Sequence, residues 1–77
     1  MTDYIIELYE KGERKPYRRF KLTLPSRYKP TYVEFDPTLK DMLADVYKAR
    51  LYYASNSKAV ACTYIDKEGH KRIRWDY

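Results

Sequence analysis

The sequence has few of the residues that build catalytic, metal or disulfide sites. Its 77 residues include one cysteine, Cys62, one histidine, His70, and two glycines. A lone cysteine excludes an internal disulfide, and with one histidine it cannot supply the three or four ligands of a Cys/His metal site. Gly12 and Gly69 both lie in predicted turns, so we find no glycine-rich phosphate loop. We therefore predict a protein that is not an enzyme and has no cofactor and no metal site.

Long apolar runs are also missing, as is the basic and apolar leader of a secreted protein. A membrane-spanning helix needs about 20 apolar residues. We therefore expect a soluble intracellular protein, cytoplasmic in location, with no membrane partner. Because 44% of its residues are hydrophobic, the chain can form a shared core, and we predict one compact domain over residues 1–77.

Tyrosine and positive charge are abundant instead. Ten tyrosines accompany sixteen lysines and arginines, and the formal net charge is +5. Positive charge favours acidic partners such as nucleic acid, anionic lipid or an acidic protein surface. Planar rings among cations are typical of a contact surface and not of a catalytic pocket.

The first part of the chain predicts a β-hairpin. Residues 4–10 and 15–24 alternate apolar and polar side chains, which is the pattern of half-buried strands. Their apolar residues share one face only if opposed residue numbers have an even sum. The core residues predicted here are Tyr4, Ile6, Leu8, Phe20, Leu22 and Leu24.

The middle of the chain predicts a loop, a short strand and a helix. Residues 26–29 lie between two prolines and should form an exposed loop, with a short strand at residues 31–35. Asp36 and Pro37 then favour a helix start, because Asp caps free N–H groups and Pro fits the first helical position. An apolar stripe at helical spacing extends this helix to residue 53 or 54, although Arg50 falls inside the stripe.

The last part of the chain predicts a second hairpin. Residues 58–65 and 70–77 would form its strands, and residues 66–69 the connection. With Ile65 opposite His70, Cys62 faces the core. In this register Val60, Ile73 and Trp75 also face the core, while Ala61, Thr63, Arg72 and Arg74 point outward.

These elements predict an α+β fold with an antiparallel sheet of four to five strands. Two hairpins surround one helix in the order β-β-(β)-α-β-β, and the helix packs on one face of the sheet. The other face is then open to solvent and is the candidate surface. The terminal strand could lie at a sheet edge and pair with a second copy to form a homodimer.

The open face predicts nucleic-acid binding, with DNA and RNA both possible and a regulatory role as one option. Arginines and lysines would contact phosphates while tyrosines stack or fix orientation. The predicted contacts are Arg19, Lys21, Arg72, Arg74, Tyr9 and Tyr17, with Arg27, Tyr28 and Lys29 on the loop. Two alternatives stay open. The face could be a plain solvated surface, or it could dock on an acidic protein as an inhibitor or adaptor of viral or mobile-element type.

Overall fold

A computed structural model describes residues 1–76 and shows an α+β fold, which confirms the predicted fold class. Five strands form an antiparallel sheet in the order β2-β1-β3-β4-β5. A 3-10 turn and one short helix connect β2 to β3. The bounds are β1 Thr2–Tyr9, β2 Arg18–Leu24, the turn Val33–Phe35, α1 Pro37–Leu43, β3 Lys48–Tyr53, β4 Ala59–Ile65 and β5 Lys71–Trp75. The strand predicted over residues 70–77 includes Tyr77, which lies outside the described residues.

The core lies between one face of the sheet and the segment that contains α1. In the first hairpin Tyr4 lies opposite Leu22 and Ile6 opposite Phe20, so the predicted even sum is correct. Leu39 of α1 is fully buried, and full burial of such a side chain contributes about 1.5–3 kcal/mol. The buried core contains Tyr4, Ile6, Leu8, Leu24, Val33, Leu39, Leu43, Val46, Ala49, Leu51, Val60, Ala61 and Ile73.

The predicted helix is wrong over its second half. Asp36 caps it as expected, accepting hydrogen bonds from the backbone N–H groups of Thr38 and Leu39 at 2.9 and 3.1 Å, but α1 ends at Leu43. Residues 48–53 instead form β3, the central strand, which pairs with β1 and β4. Pairing with two flanking strands stabilises the extended backbone more than the weak helical propensity of this segment stabilises a helix. Arg50 therefore has an ordinary place on a strand.

The short strand predicted at residues 31–35 is also wrong. Most of this segment forms the 3-10 turn, and only Tyr32 makes a bridge, with Arg72 at the outer edge of β5. The backbone N–H of Ile73 donates to the carbonyl of Thr31 at 3.1 Å, and Trp75 Nε1 donates to the carbonyl of Pro30 at 3.0 Å. The segment thus covers the free edge of β5.

The register predicted for the second hairpin is wrong by one residue. Asp66 N donates to the carbonyl of His70 at 2.9 Å, so the loop has three residues and not four. Gly69 lies at φ 82°, the left-handed conformation that closes such loops, and the Asp66 carboxylate accepts the N–H groups of Glu68 and His70. A shift of one residue exchanges the faces of one strand. Cys62 is therefore on the open face, while Ala61 and Thr63 are buried.

Candidate nucleic-acid interface

The open face is the side of the sheet that points away from α1. Strand pairing places Glu7 beside Arg50, Arg50 beside Cys62, and Cys62 beside Arg74 across four neighbouring strands. Within residues 1–76 no helix has the length and apolarity needed to span a membrane. The strand residues of the open face are Asp3, Ile5, Glu7, Tyr9, Arg19, Lys21, Thr23, Lys48, Arg50, Tyr52, Cys62, Tyr64, Arg72 and Arg74.

The cations predicted on β2 lie on this face, but both have acidic partners on β1. Arg19 Nε is 3.6 Å from Glu7, and Lys21 Nζ is 3.3 Å from Asp3. Thr23 also donates to Asp3 at 2.7 Å, and the bonds from Thr23 and Lys21 hold the pKa of Asp3 below its usual value. A phosphate that binds here would compete with these carboxylates. The β1–β2 half of the face is therefore close to neutral in charge.

Tyr9 lies on the open face with little of its ring accessible. The residue is buried, with 7% of its surface exposed, and its hydroxyl donates to the Glu7 carboxylate at 2.9 Å. The Arg50 guanidinium lies over the ring, 5.3 Å from its centroid. Burial and the bond to Glu7 raise the pKa of Tyr9 to about 12. Tyr9 thus supports Arg50 and does not offer a free stacking surface.

Arg72 and Arg74 both project from β5 on the open face. Arg72 Nε donates to the Asp66 carboxylate, and its guanidinium lies 5.2 Å from the centroid of the Tyr32 ring. The bond from Arg72 lowers the pKa of Asp66. Arg74 is 3.6 Å from Asp76, and its side chain is 70% exposed. Arg72 is therefore held at the sheet edge. Arg74 is exposed, and a phosphate that binds it would compete with Asp76, as it would with Glu7 at Arg19.

The remaining predicted contacts do not share one surface. Tyr17 lies just before β2 and is 53% exposed. Arg27 and Lys29 are exposed on the loop between the prolines, but the Tyr28 ring between them packs against the core. The Tyr28 hydroxyl is buried and has no hydrogen-bond partner among residues 1–76. The structure thus separates the loop tyrosine from the open face.

The centre of the open face consists of residues that are not among the predicted contacts. The helical pattern places Lys48, Arg50 and Tyr52 on a helix, but they lie on β3. The observed register of β4 places Cys62 and Tyr64 on the open face. Alternation was the available signal, because Lys48, Arg50 and Tyr52 alternate with apolar residues as in a half-buried strand.

Three grooves adjoin Lys48, at the first residue of β3. The central groove, about 280 Å³ in volume, is lined by Lys48, Arg50, Tyr52, Cys62 and Arg74, with Asp76 at its rim. A second groove of about 470 Å³ lies toward Tyr9 and Arg14 and is also lined by the acidic residues Glu10 and Glu13. A third groove of about 330 Å³ is lined by Tyr47 and Tyr64. Lys48 lines all three grooves.

The two central cations differ from the predicted ones in their partners. Among residues 1–76 neither Lys48 nor Arg50 forms an ion pair. Arg50 instead contacts the Tyr9 ring, and its hydrogen bond with Tyr52 raises its pKa. Tyrosines therefore fix the guanidinium in place without neutralising its charge. Both cations can bind an anion without breaking a salt bridge.

One group of side chains near the second hairpin loop has atoms close enough to share a metal ion. Ligand atoms of Asp66, Glu68 and His70 lie within 4.8 Å of one another. The Asp66 carboxylate already accepts hydrogen bonds from Arg72 and from two backbone N–H groups. Its role in closing the hairpin explains the grouping, and we assign it no metal.

Comparisons with protein-family models, curated proteins and solved structures found no match to this chain. Its function must therefore be inferred from the geometry and the charge of the open face.

Proposed function

We propose that this protein is a non-enzymatic module that binds nucleic acid through the centre of the open face. The observation that carries the proposal is the pair of cations, Lys48 and Arg50, which form no ion pair among residues 1–76 and line the central groove together. A cytoplasmic setting suits this role, because the single cysteine on the same face would remain a free thiol in a reducing compartment.

The cations define the expected strength of the electrostatic contribution. Lys48, Arg50 and Arg74 line the central groove, and Arg14 lines the neighbouring one. Four phosphate contacts correspond to a slope of log K against log salt of about −3.6 for a duplex and about −2.8 for a single strand. Affinity should therefore fall roughly 50- to 150-fold between about 50 and 200 mM salt.

A charge reversal at the central groove tests the proposal. We expect Lys48→Glu/Arg74→Glu to weaken binding of labelled DNA and RNA by about tenfold or more at low salt. The salt slope should become shallower by about 1.4 to 1.8, because two phosphate contacts are lost. Fluorescence anisotropy at several salt concentrations measures both quantities.

The matched control is Lys40→Glu/Lys67→Glu, which makes the same change in net charge away from the three grooves. This variant should keep nearly all of the affinity at moderate salt, where long-range attraction is screened. Equal losses in the two variants would show that only net charge matters and would contradict the proposed site. Circular dichroism establishes that both variants are folded, and Arg50→Gln supplies a milder change at the same groove.

Cys62 provides an independent measurement because it is the single cysteine of the chain and lines the central groove. Bound nucleic acid should slow the reaction of this thiol with a maleimide, and high salt should restore the rate. Thiol reactivity that does not change at saturating nucleic acid would place the ligand elsewhere.

A second candidate function is docking on an acidic protein, as an inhibitor or adaptor of viral or mobile-element type. The paired charges on β1 and β2 favour it, because Asp3 and Glu7 disfavour phosphates but can hydrogen-bond to a protein. No binding to any DNA or RNA by the folded protein would overturn the nucleic-acid proposal and support this one.

A further inference from the structure

The open face is too broad to enter the major groove of B-DNA. Five strands at the usual spacing of about 4.8 Å span roughly 19 Å. The major groove of B-DNA is about 12 Å wide and admits one helix or a two-stranded ribbon. Within residues 1–76 the single helix, α1, packs on the opposite face of the sheet. Across the open face a B-DNA duplex would therefore present its phosphates and not the base edges of its major groove.

The rings beside the unpaired cations are accessible. Tyr47 is 52% exposed and Tyr64 is 46% exposed, and both line the same groove as Lys48. Bases can stack on such rings only when they are not already stacked in a duplex. Tyr47 also lines the groove that contains Arg50, so the two rings adjoin both cations. Glu10 and Glu13 line the far side of that groove, toward the first hairpin loop.

From this arrangement we infer that the ligand is a single-stranded nucleic acid. Its phosphates lie along Lys48, Arg50 and Arg74, and its bases stack on Tyr47 and Tyr64. The inference rests on the proposed function and adds the strandedness of the ligand and the rings that bind its bases.

The test compares single strands with duplexes of the same length in a binding titration. Oligo-dT and oligo-rU of twelve or so nucleotides serve as single strands, and a blunt DNA duplex serves as the competitor. We expect the single strands to bind at least about tenfold more tightly. Truncation of either ring, Tyr47→Ala or Tyr64→Ala, should weaken single-strand binding by roughly 5- to 150-fold and change duplex binding by less than about twofold.

Three further variants separate stacking from damage to the fold. Tyr47→Phe and Tyr64→Phe keep the rings and should keep most of the single-strand affinity. Tyr17→Ala removes a ring that is 53% exposed but lines none of the three grooves, and it should have no effect.

The possible failures are distinguishable. A duplex that binds as tightly as the single strands, with affinity that still depends on Lys48 and Arg74, would overturn the inference and leave the proposed function intact. Single-strand affinity that is unchanged in Tyr47→Ala and Tyr64→Ala would also overturn it. Absence of binding to either ligand would overturn the proposed function itself.

Discussion

Tyr28 shows how a single residue can look functional in the sequence and prove structural in the fold. Its position between Arg27 and Lys29 predicted an exposed ring, yet the ring packs on the core and its hydroxyl is buried without a partner among residues 1–76. A buried unsatisfied hydroxyl costs about 1–3 kcal/mol. We therefore expect Tyr28→Phe to raise the free energy of unfolding by about 1 kcal/mol, seen as a melting temperature higher by about 4–8 °C.

Tyr17→Phe is the matched control for this prediction, because Tyr17 is exposed and its hydroxyl meets water. Its stability should stay within about 0.5 kcal/mol of the parent protein. Tyr28→Phe should also leave nucleic-acid affinity unchanged, since the ring lies away from the open face. A destabilised Tyr28→Phe would mean that the hydroxyl has a bonding partner in solution.

At the scale of elements, local signals in the sequence were sufficient to predict those strands and helix ends that do not depend on pairing with distant strands. The alternation in the first hairpin predicted its faces correctly, and Asp36 with Pro37 predicted the start of α1. The apolar positions after Leu43 fit both helical and strand spacing, so only pairing with β1 and β4 decides for a strand.

The predicted register of the second hairpin was wrong for a related reason. A three-residue and a four-residue connection differ by a single residue, yet they place opposite faces of β4 toward the core. The bonds of the Asp66 carboxylate and the left-handed Gly69 select the shorter loop. The candidate site could be predicted as a basic sheet face. Its central residues depend on β3, where the alternation competes with an equally good helical pattern, and on this register, which the sequence leaves open.

The cap of α1 gives a prediction at the element scale. Asp36 accepts hydrogen bonds from two backbone N–H groups. Because α1 has only seven residues, the loss of these bonds would affect the whole helix. Asp36→Ala should lower the free energy of unfolding by about 0.5–2 kcal/mol, whereas Asp36→Asn keeps an acceptor and should change it by only a few tenths. Urea denaturation measures both. Equal destabilisation by the two variants would mean that the negative charge and not the capping bond is what matters.

Over the whole molecule, the location of carboxylates decides which cations can bind a ligand. The net charge of +5 is a property of the sequence, but Arg19 and Lys21 pair with Glu7 and Asp3, while Lys48 and Arg50 form no ion pair among residues 1–76. The cations of both pairs are exposed, and an ion pair at the surface contributes only about 0–1 kcal/mol to stability, although Glu7 also accepts a hydrogen bond from Tyr9. The carboxylates can therefore be removed with the fold retained, and their main effect is to limit the extent of the anion-binding surface.

Removal of these carboxylates should enlarge the surface. In Asp3→Asn/Glu7→Gln the side chains of Arg19 and Lys21 become available to phosphates, so single-strand affinity should rise and the salt slope should steepen by up to about 1.4. Asp41→Asn/Asp45→Asn changes the net charge equally at exposed positions on or next to the helix, and it should leave the slope unchanged. Anisotropy titrations of both variants between about 50 and 200 mM salt compare the slopes. If both variants steepen the slope equally, the ligand responds to total charge, and the open face does not determine where it binds.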